Sequence, residues 1–209
     1  MRTRLLAIIS GRDTDQLSRW LPFEGIVLVG NHGLEERRDG KSALIPEAAR
    51  FKDGLERAAA LIQGDALSPP ARLERKAATL AVHYRGADDV EEVRRRLREQ
   101  LERVARASGL RLHAGRMVWE LRPPLDIDKG TVIGRLMAGS RSRHTVYMGD
   151  DLTDRAAFRI LAQRPQTERL AVGVHSAEAP PDTFAECDLV VDGVAGVARL
   201  LGLLLSLPG

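Results

Sequence analysis

The sequence predicts an α/β fold in which a parallel sheet is flanked by helices and carries an inserted α+β module. Short apolar runs that end in glycine turns alternate with helical patterns at both ends of the 209-residue chain. This alternation is typical of buried parallel strands joined by helices. The middle of the chain alternates polar and apolar residues instead, which predicts a sheet with one solvent-exposed face. We therefore expect a discontinuous domain of residues 1–45 and 124–209, and an inserted domain of residues 46–123.

The first part of the chain predicts two buried strands around one helix. The apolar run at residues 5–9 ends in Ser-Gly, and the run at 25–29 ends in Gly-Asn-His-Gly. Between them, residues 13–20 predict a short helix with Asp13 or Thr14 as its cap. The strands lack polar alternation, so both faces of the sheet are expected to be covered.

The inserted module has its own pattern of helices and strands. Pro46 opens an amphipathic helix to residue 62, and a charged helix over 88–108 ends at Gly109. Strands are expected at 77–84, 110–113 and 117–121, the last two as a hairpin.

The buried pattern then resumes to the end of the chain. The predicted helices are 128–137, 152–161 and 195–205, and the predicted strands are 145–148, 171–174 and 189–191.

Composition excludes several classes of protein. The 32 Lys and Arg residues are nearly balanced by 29 Asp and Glu residues, and the densest arginine run, 94–98, is interleaved with glutamates. This pattern predicts a solvated helix face and no nucleic-acid interface. No apolar stretch reaches the ~20 residues that span a membrane. The single cysteine, Cys187, excludes a disulfide framework within the chain and favours a reducing, cytoplasmic location.

Three carboxylates follow the strand at 145–148 and form the strongest local signal. Asp150, Asp151 and Asp154 come directly after Gly149, at the end of a strand where ligands bind in open α/β sheets. Oxygen ligands this dense suit a hard divalent cation such as Mg²⁺. Helix capping alone is the competing interpretation, but one cap explains only one aspartate.

Two further fragments are compatible with binding of a phosphate. Lys129 stands at the start of a predicted helix, where the helix dipole disfavours a cation unless an anion or an Asp cluster lies nearby. Ser10-Gly11-Arg12 follows the first strand and offers a hydroxyl and backbone N–H groups to an oxygen. A plain turn with a helix cap explains the second fragment about as well.

Taken together and in this order, these fragments resemble one family. Ser10, Lys129-Gly130 and Gly149-Asp150-Asp151 match motifs of the haloacid-dehalogenase-like phosphatases, and further matches are similar to the trehalose-6-phosphate phosphatases within them. Those matches are Ile9–Arg12, Gly30–Glu35, Glu74–Lys76 with Ala81–Arg85, Val118–Pro123 and Asp150–Asp154.

The resemblance implies a fold, a reaction and a set of site residues. The fold is a Rossmann-like core of haloacid-dehalogenase type with a mobile α+β cap, residues 46–123. The reaction is the Mg²⁺-dependent hydrolysis of trehalose 6-phosphate. Ser10 would bind the phosphoryl group, Lys129 would neutralise its charge, and Asp150, with Asp151 and Asp154, would bind the metal. The sugar would be held by Arg12, Asn31, His32, Glu74, Lys76, Arg85 and Glu120. Association with a trehalose-phosphate synthase stays open.

One family motif is missing from the sequence. The nucleophile of the family lies in an Asp-x-Asp-Gly-Thr motif ahead of the Ser10 strand, but only nine residues precede Ser10 and none is acidic. Asp13-Thr14-Asp15 has the spacing without the strand, so a helix cap is the better interpretation. We expect an N-terminally truncated chain without its central strand, and reading the DNA upstream tests this.

Two other functions compete with the phosphatase. One is a sugar-phosphate-binding or regulatory module that lacks turnover. The other is a phosphatase of a different sugar phosphate, such as a sucrose or mannosylglycerate phosphate.

Overall fold

The computed structural model describes residues 5–65, 67, 70–140, 142–176 and 179–206 as a mixed α/β protein. The strands are β1 Leu6–Ile9, β2 Ile26–Gly30, β3 Glu35–Arg38, β4 Lys41–Leu44, β5 Arg72–Arg75, β6 Leu80–His83, β7 Arg111–Gly115, β8 Val118–Arg122, β9 Thr145–Gly149, β10 Arg169–His175 and β11 Leu189–Asp192. The helices are α1 Thr14–Trp20, α2 Pro46–Ala49, α3 Lys52–Gly64, α4 Val90–Ser108, α5 Lys129–Gly139, α6 Arg155–Ala162 and α7 Gly193–Ser206.

A parallel sheet of order β11-β10-β9 confirms the predicted α/β class. Its central strand pairs Val172 with Met148 on one side and with Leu189 on the other. Phe158 and Leu161 of α6 are fully buried and pack with Ala171 of β10. Strand β9 ends at Gly149, directly before the aspartate cluster.

A second sheet has the order β1-β2-β3-β4 and contains a hairpin that the sequence analysis missed. Strands β3 and β4 are antiparallel and joined by Asp39-Gly40, both with positive φ. Asp-Gly is a strong signal for a two-residue hairpin turn, and the polar sequence of both strands concealed it. In the described part of the chain, β1 and β9 lie in different sheets. These two strands, which the central strand of the family would separate, therefore do not pair directly with each other.

The third sheet, of order β5-β6-β8-β7, is antiparallel and is called the β5–β8 sheet below. Val82, Trp119 and Leu121 lie on one of its faces and pack with Leu101 of α4 and Ile62 of α3 in a single core. Because side chains alternate across a strand, the residues between them point to the opposite face. That open face carries Glu74, His83 and Glu120, as the amphipathic pattern of the middle region predicts.

Several predicted elements differ from the structure at their ends. The helix predicted over 46–62 is two helices, because Phe51 donates its N–H to Ala48 O in a tighter turn between them. The helix predicted over 152–161 begins as a 3-10 turn, Leu152–Asp154. Strand β5 was not predicted, since its sequence, Arg-Leu-Glu-Arg, is mostly charged.

The chain separates into two compact units. The first lies within residues 1–9, 25–27 and 127–209, and the second within residues 10–24 and 28–126. The domain boundaries expected from the sequence stay a prediction. Among the residues described, no helix is long and apolar enough to cross a membrane.

Candidate active site

In the first unit, the aspartate cluster is organised around one buried carboxylate. Asp154 is 2% exposed. Its Oδ1 accepts hydrogen bonds from Lys129 Nζ at 2.6 Å and from the Tyr147 hydroxyl at 2.5 Å. The side chain of Lys129 therefore reaches the aspartate cluster from the first position of α5, which accounts for a cation at a helix start.

The other oxygen of Asp154 holds the loop that follows β9. Oδ2 accepts the backbone N–H of Asp150 at 3.1 Å and that of Asp151 at 2.9 Å. Gly149 makes room for this arrangement, because a Cβ on it would lie 2.4 Å from Asp154 Cγ. Asp154 thus receives four donors, two on each oxygen, and fixes the conformation of the Asp150–Asp151 turn.

Tyr147 is a site residue that the sequence analysis missed. Burial is the main reason why the pKa of its hydroxyl is raised, and the negative charge of Asp154 adds to the shift. The hydroxyl therefore stays protonated and donates to Asp154. In the sequence, Tyr147 belongs to an apolar strand and has no further predicted role. A tyrosine in a buried strand needs a hydrogen-bond partner for its hydroxyl, and this need could have pointed to the nearby aspartates.

The three aspartates differ in how many of their carboxylate oxygens are free of protein hydrogen bonds and so could bind a metal ion. No hydrogen bond or ion pair occupies the Asp150 carboxylate within the described ranges, whereas the Asp151 side chain caps the following 3-10 turn by accepting the backbone N–H groups of Thr153, at 3.3 Å, and of Asp154. These oxygens are the hard donors that Mg²⁺ takes. The searched residues contain no group of three His, Cys, Asp or Glu side chains that could hold a metal ion.

In the second unit, the open face of the β5–β8 sheet carries a row of polar residues. The strand register places Glu74 beside Ala81, Ala81 beside Glu120, and Glu120 beside His113. The central member, Glu120, is 7% exposed. A buried carboxylate needs hydrogen bonds and positive charges around it, and Glu120 has both.

Four side chains surround the Glu120 carboxylate. Oε1 accepts from Thr79 Oγ1 at 2.8 Å and lies 3.6 Å from Lys76 Nζ. Oε2 accepts from Arg122 Nε at 2.8 Å and lies 3.6 Å from His32 Nε2. Burial alone would raise the pKa of Glu120, but the charge and hydrogen bonds of Arg122 and the charge of Lys76 outweigh it and hold the pKa well below its usual range.

His32 completes this cluster from another part of the second unit. Its Nε2 lies 2.8 Å from Arg122 Nη2. A guanidinium group can only donate, so Nε2 accepts this hydrogen bond and the ring proton is assigned to Nδ1. The predicted residues Lys76, Glu120 and His32 are therefore brought together, with Arg122 and Thr79 as members that the sequence analysis did not single out.

Glu74 and Arg85 lie near a different group of side chains. Glu74 contacts His83 Nε2 at 2.5 Å. Arg85 lines a cavity of about 240 Å³ together with Pro70, Arg72 and His83.

The predicted residues that follow β1 and β2 have varied surroundings. Ser10 Oγ accepts the N–H of Arg12 at 3.2 Å. The Arg12 guanidinium stacks on the exposed Trp20 ring at 4.7 Å and donates to Gln16. Asn31 is fully buried and donates from Nδ2 to Glu35 at 2.7 Å. Asn31 therefore offers no side-chain surface to a ligand.

The chain is similar to known proteins along most of its length. A family model described as trehalose-phosphatase matches residues 2–185. The chain belongs to the trehalose-phosphatase family. A probable trehalose-phosphate phosphatase of rice is 31% identical over 88% of this chain and 51% of its own length. An uncharacterized glycosyl hydrolase of Mycobacterium tuberculosis is 38% identical over 73% of this chain and 12% of its own length.

Solved structures show the same fold. A trehalose-6-phosphate phosphatase related protein superposes with a TM-score of 0.66 at 24% identity, over 96% of this chain and 82% of its own. A haloacid dehalogenase-like hydrolase from Bacteroides thetaiotaomicron shares the fold with a TM-score of 0.60 at 14% identity, over 96% of this chain and 86% of its own. This member of the trehalose-phosphatase family spans 12% to about half of the length of the curated relatives reported above.

Proposed function

We propose that this trehalose-phosphatase family member acts in the hydrolysis of trehalose 6-phosphate to trehalose and phosphate. The observation that carries the proposal is the Glu120 cluster. A desolvated carboxylate between Lys76, Arg122 and His32 presents donors and acceptors side by side. Sugar hydroxyls both donate and accept, so alternating partners on a fixed sheet face suit them.

In this proposal the open face of the β5–β8 sheet binds the sugar. Glu74, Lys76, Arg85 and Glu120 hold hydroxyl groups, and His32 and Arg12 approach from the loops that follow β2 and β1. Support comes from the low exposure of Lys76 and Glu120, whose side chains are 17% and 9% exposed. Ordered charged groups of this kind lose little entropy when a ligand binds.

The phosphate is assigned to Ser10 and Lys129. The Ser10 hydroxyl is a donor for a phosphoryl oxygen, and Lys129 neutralises negative charge while Asp154 fixes its ammonium group. Asp150, with Asp151 beside it, is the proposed Mg²⁺ site, since its carboxylate has no protein partner in the part of the chain described. Bound Mg²⁺ supplies a positive charge that stabilises the phosphoryl oxygens.

A second candidate function is a sugar-phosphate-binding or regulatory module without turnover. The observation that favours it is that Asp13-Thr14-Asp15, which has the Asp-x-Asp spacing of the family's nucleophile motif, is engaged in a helix cap and an ion pair. Asp13-Thr14-Asp15 does not replace that motif, because Asp13 caps α1 through the N–H of Gln16 at 2.7 Å. Asp15 pairs with Arg37 at 3.4 Å.

Binding and turnover together test the two candidates. Titration calorimetry with trehalose 6-phosphate should give binding that Glu120→Gln weakens, while the surface variant Glu47→Gln binds like the wild type. Phosphate release that Asp150→Asn abolishes excludes the module without turnover. Binding without release favours that module.

The substrate itself is tested by competition. Sucrose 6-phosphate and a mannosylglycerate phosphate are the alternative ligands, and tighter binding of either would reassign the substrate. Failure of all three to bind would refute the proposal. A synthase partner and a cytoplasmic location stay predictions.

A further inference from the structure

Glu35 is a buried carboxylate with no cationic partner among the residues described. It is 4% exposed at the start of β3. Oε2 accepts the backbone N–H of Thr14 at 3.1 Å and Asn31 Nδ2 at 2.7 Å, and Oε1 accepts the Thr14 hydroxyl at 2.8 Å. Burying a carboxylate is costly unless its oxygens are satisfied. Among the residues described, its hydrogen-bond donors are Thr14 at the start of α1 and Asn31 in the loop after β2.

The second of these loops is strained. Asn31 and His32 are consecutive non-glycine residues with φ of 48° and 60°. Left-handed backbone is unfavourable for residues that carry a Cβ, and two such residues in succession are uncommon. Such strain persists where the surrounding contacts over-determine the conformation, and it concentrates at functional sites.

The first loop and Glu35 supply hydrogen bonds that hold the backbone and the Asn31 side chain of the strained turn. Asn31 donates its N–H to Arg12 O at 2.8 Å, and His32 donates its N–H to Ser10 O at 3.2 Å. Within the described residues, the side chain of Asn31 makes one hydrogen bond, which is the one to Glu35. Gly11 leaves space for the imidazole, since a Cβ there would lie 2.5 Å from His32 Cε1.

The result of this strain is the position of the His32 ring. The imidazole is 36% exposed and lies against Arg122 and Glu120 in the cluster described above. A relaxed turn would carry the ring away from these partners, because the direction of Cβ changes with the sign of φ.

We propose that Glu35 is a positioning residue that holds the Asn31–His32 turn in its strained conformation, so that His32 meets the ligand bound at Glu120. The role rests on the proposed sugar-phosphate binding. Glu35 itself touches no ligand and acts through Asn31 and His32. The competing interpretation is that Glu35 contributes only to folding.

A double-mutant cycle on trehalose 6-phosphate affinity separates these interpretations. Glu35→Gln places an amide donor against the donors of Thr14 and Asn31, and we expect about tenfold weaker binding, equal to about 1.4 kcal/mol. His32→Ala should weaken binding similarly, and the double variant should bind like His32→Ala alone. Additive losses would overturn the proposal. Val104→Ala, a remote core variant, controls for lost stability and should keep wild-type affinity.

A measurement without ligand keeps the positioning role independent of the proposed function. The chain has five histidines, and the NMR ring signals of His32 are identified by their loss in His32→Ala. Glu35→Gln should shift the His32 signals and leave the ring signals of His144 and His175 in place. Unchanged His32 signals would refute the positioning role even if the wild type binds no trehalose 6-phosphate.

A second variant covers the case in which Glu35→Gln does not fold. Asn31→Gly removes the amide that joins Glu35 to the turn, while glycine tolerates the positive φ. It should also shift the His32 signals and weaken binding about tenfold. A variant with wild-type signals and wild-type affinity would overturn the proposal.

Discussion

Replacing Asp154 by asparagine separates a structural carboxylate from a metal ligand. In the structure Asp154 is the ion-pair partner of Lys129, and their side chains are only 3% and 20% exposed. Removing one partner of a buried pair costs about 3–5 kcal/mol. An asparagine amide also turns a donor toward either Lys129 and Tyr147 or the two backbone N–H groups. We therefore expect Asp154→Asn to lose about 3–5 kcal/mol of unfolding free energy.

Urea unfolding without added metal measures this loss. With a slope of about 2 kcal/mol/M, the midpoint should fall by roughly 2 M. Tyr147→Phe removes one hydrogen bond to the same carboxylate and should cost about 1.5–3 kcal/mol. Asp150→Asn is the matched control, since its carboxylate has no described protein partner, and it should change stability by about 0.5 kcal/mol or less.

The opposite result would refute the reasoning. If Asp154 only shared a metal site with its neighbours, the metal-free cluster would be a group of repelling charges. Asp154→Asn would then raise stability, as would Asp150→Asn. Equal effects of the two variants, in either direction, contradict the arrangement in which Asp154 receives four donors.

Three further predictions follow from pKa shifts and close packing. The pKa of Glu120 is held below its ordinary value of about 4.3, so its contribution to stability is present above that pH and is lost as the pH falls. Glu120→Gln should flatten the fall in urea-measured stability between about pH 5 and pH 3, and an unchanged slope would contradict this. Burial, aided by nearby acids, raises the pKa of the Cys187 thiol to about 11. An aromatic disulfide reagent should therefore modify the native chain slowly at pH 7.5 and much faster above pH 10. If the native chain reacts at pH 7.5 as fast as the urea-unfolded chain, the pKa is not raised. Gly149→Ala should cost about 1–3 kcal/mol, because its Cβ meets Asp154, whereas Gly64→Ala, with nothing within 4 Å, should not destabilise.

The sequence was sufficient for most elements that have a strong period or clear end signals. Helix α4 was predicted to within two residues because Asp89 and Gly109 mark its ends. The strand before Gly149 was equally clear from its apolar run. Strands β3 and β5 were not predicted because most of their side chains are charged. These strands are stabilised by pairing with neighbouring strands, which the order of residues along the chain does not reveal.

The residues of the candidate site could be proposed from the sequence, but most of their contacts could not. The spacing of the aspartates indicated an ion site, but it could not distinguish the exposed Asp150 from the buried Asp154. That difference depends on Lys129 and Tyr147, which approach from other elements. Likewise, Asn31 stood in a motif beside His32, and only the fold shows that its amide turns inward to Glu35.

The alternation of the β5–β8 sheet has a consequence for how ligand preference can change. Neighbouring residues such as Leu73 and Glu74, or Trp119 and Glu120, belong to opposite faces, so core residues alternate with open-face residues along these strands. The core residues pack with α3 and α4. If the open face binds the sugar as proposed, ligand preference can change at every second position while the alternate positions keep the module folded.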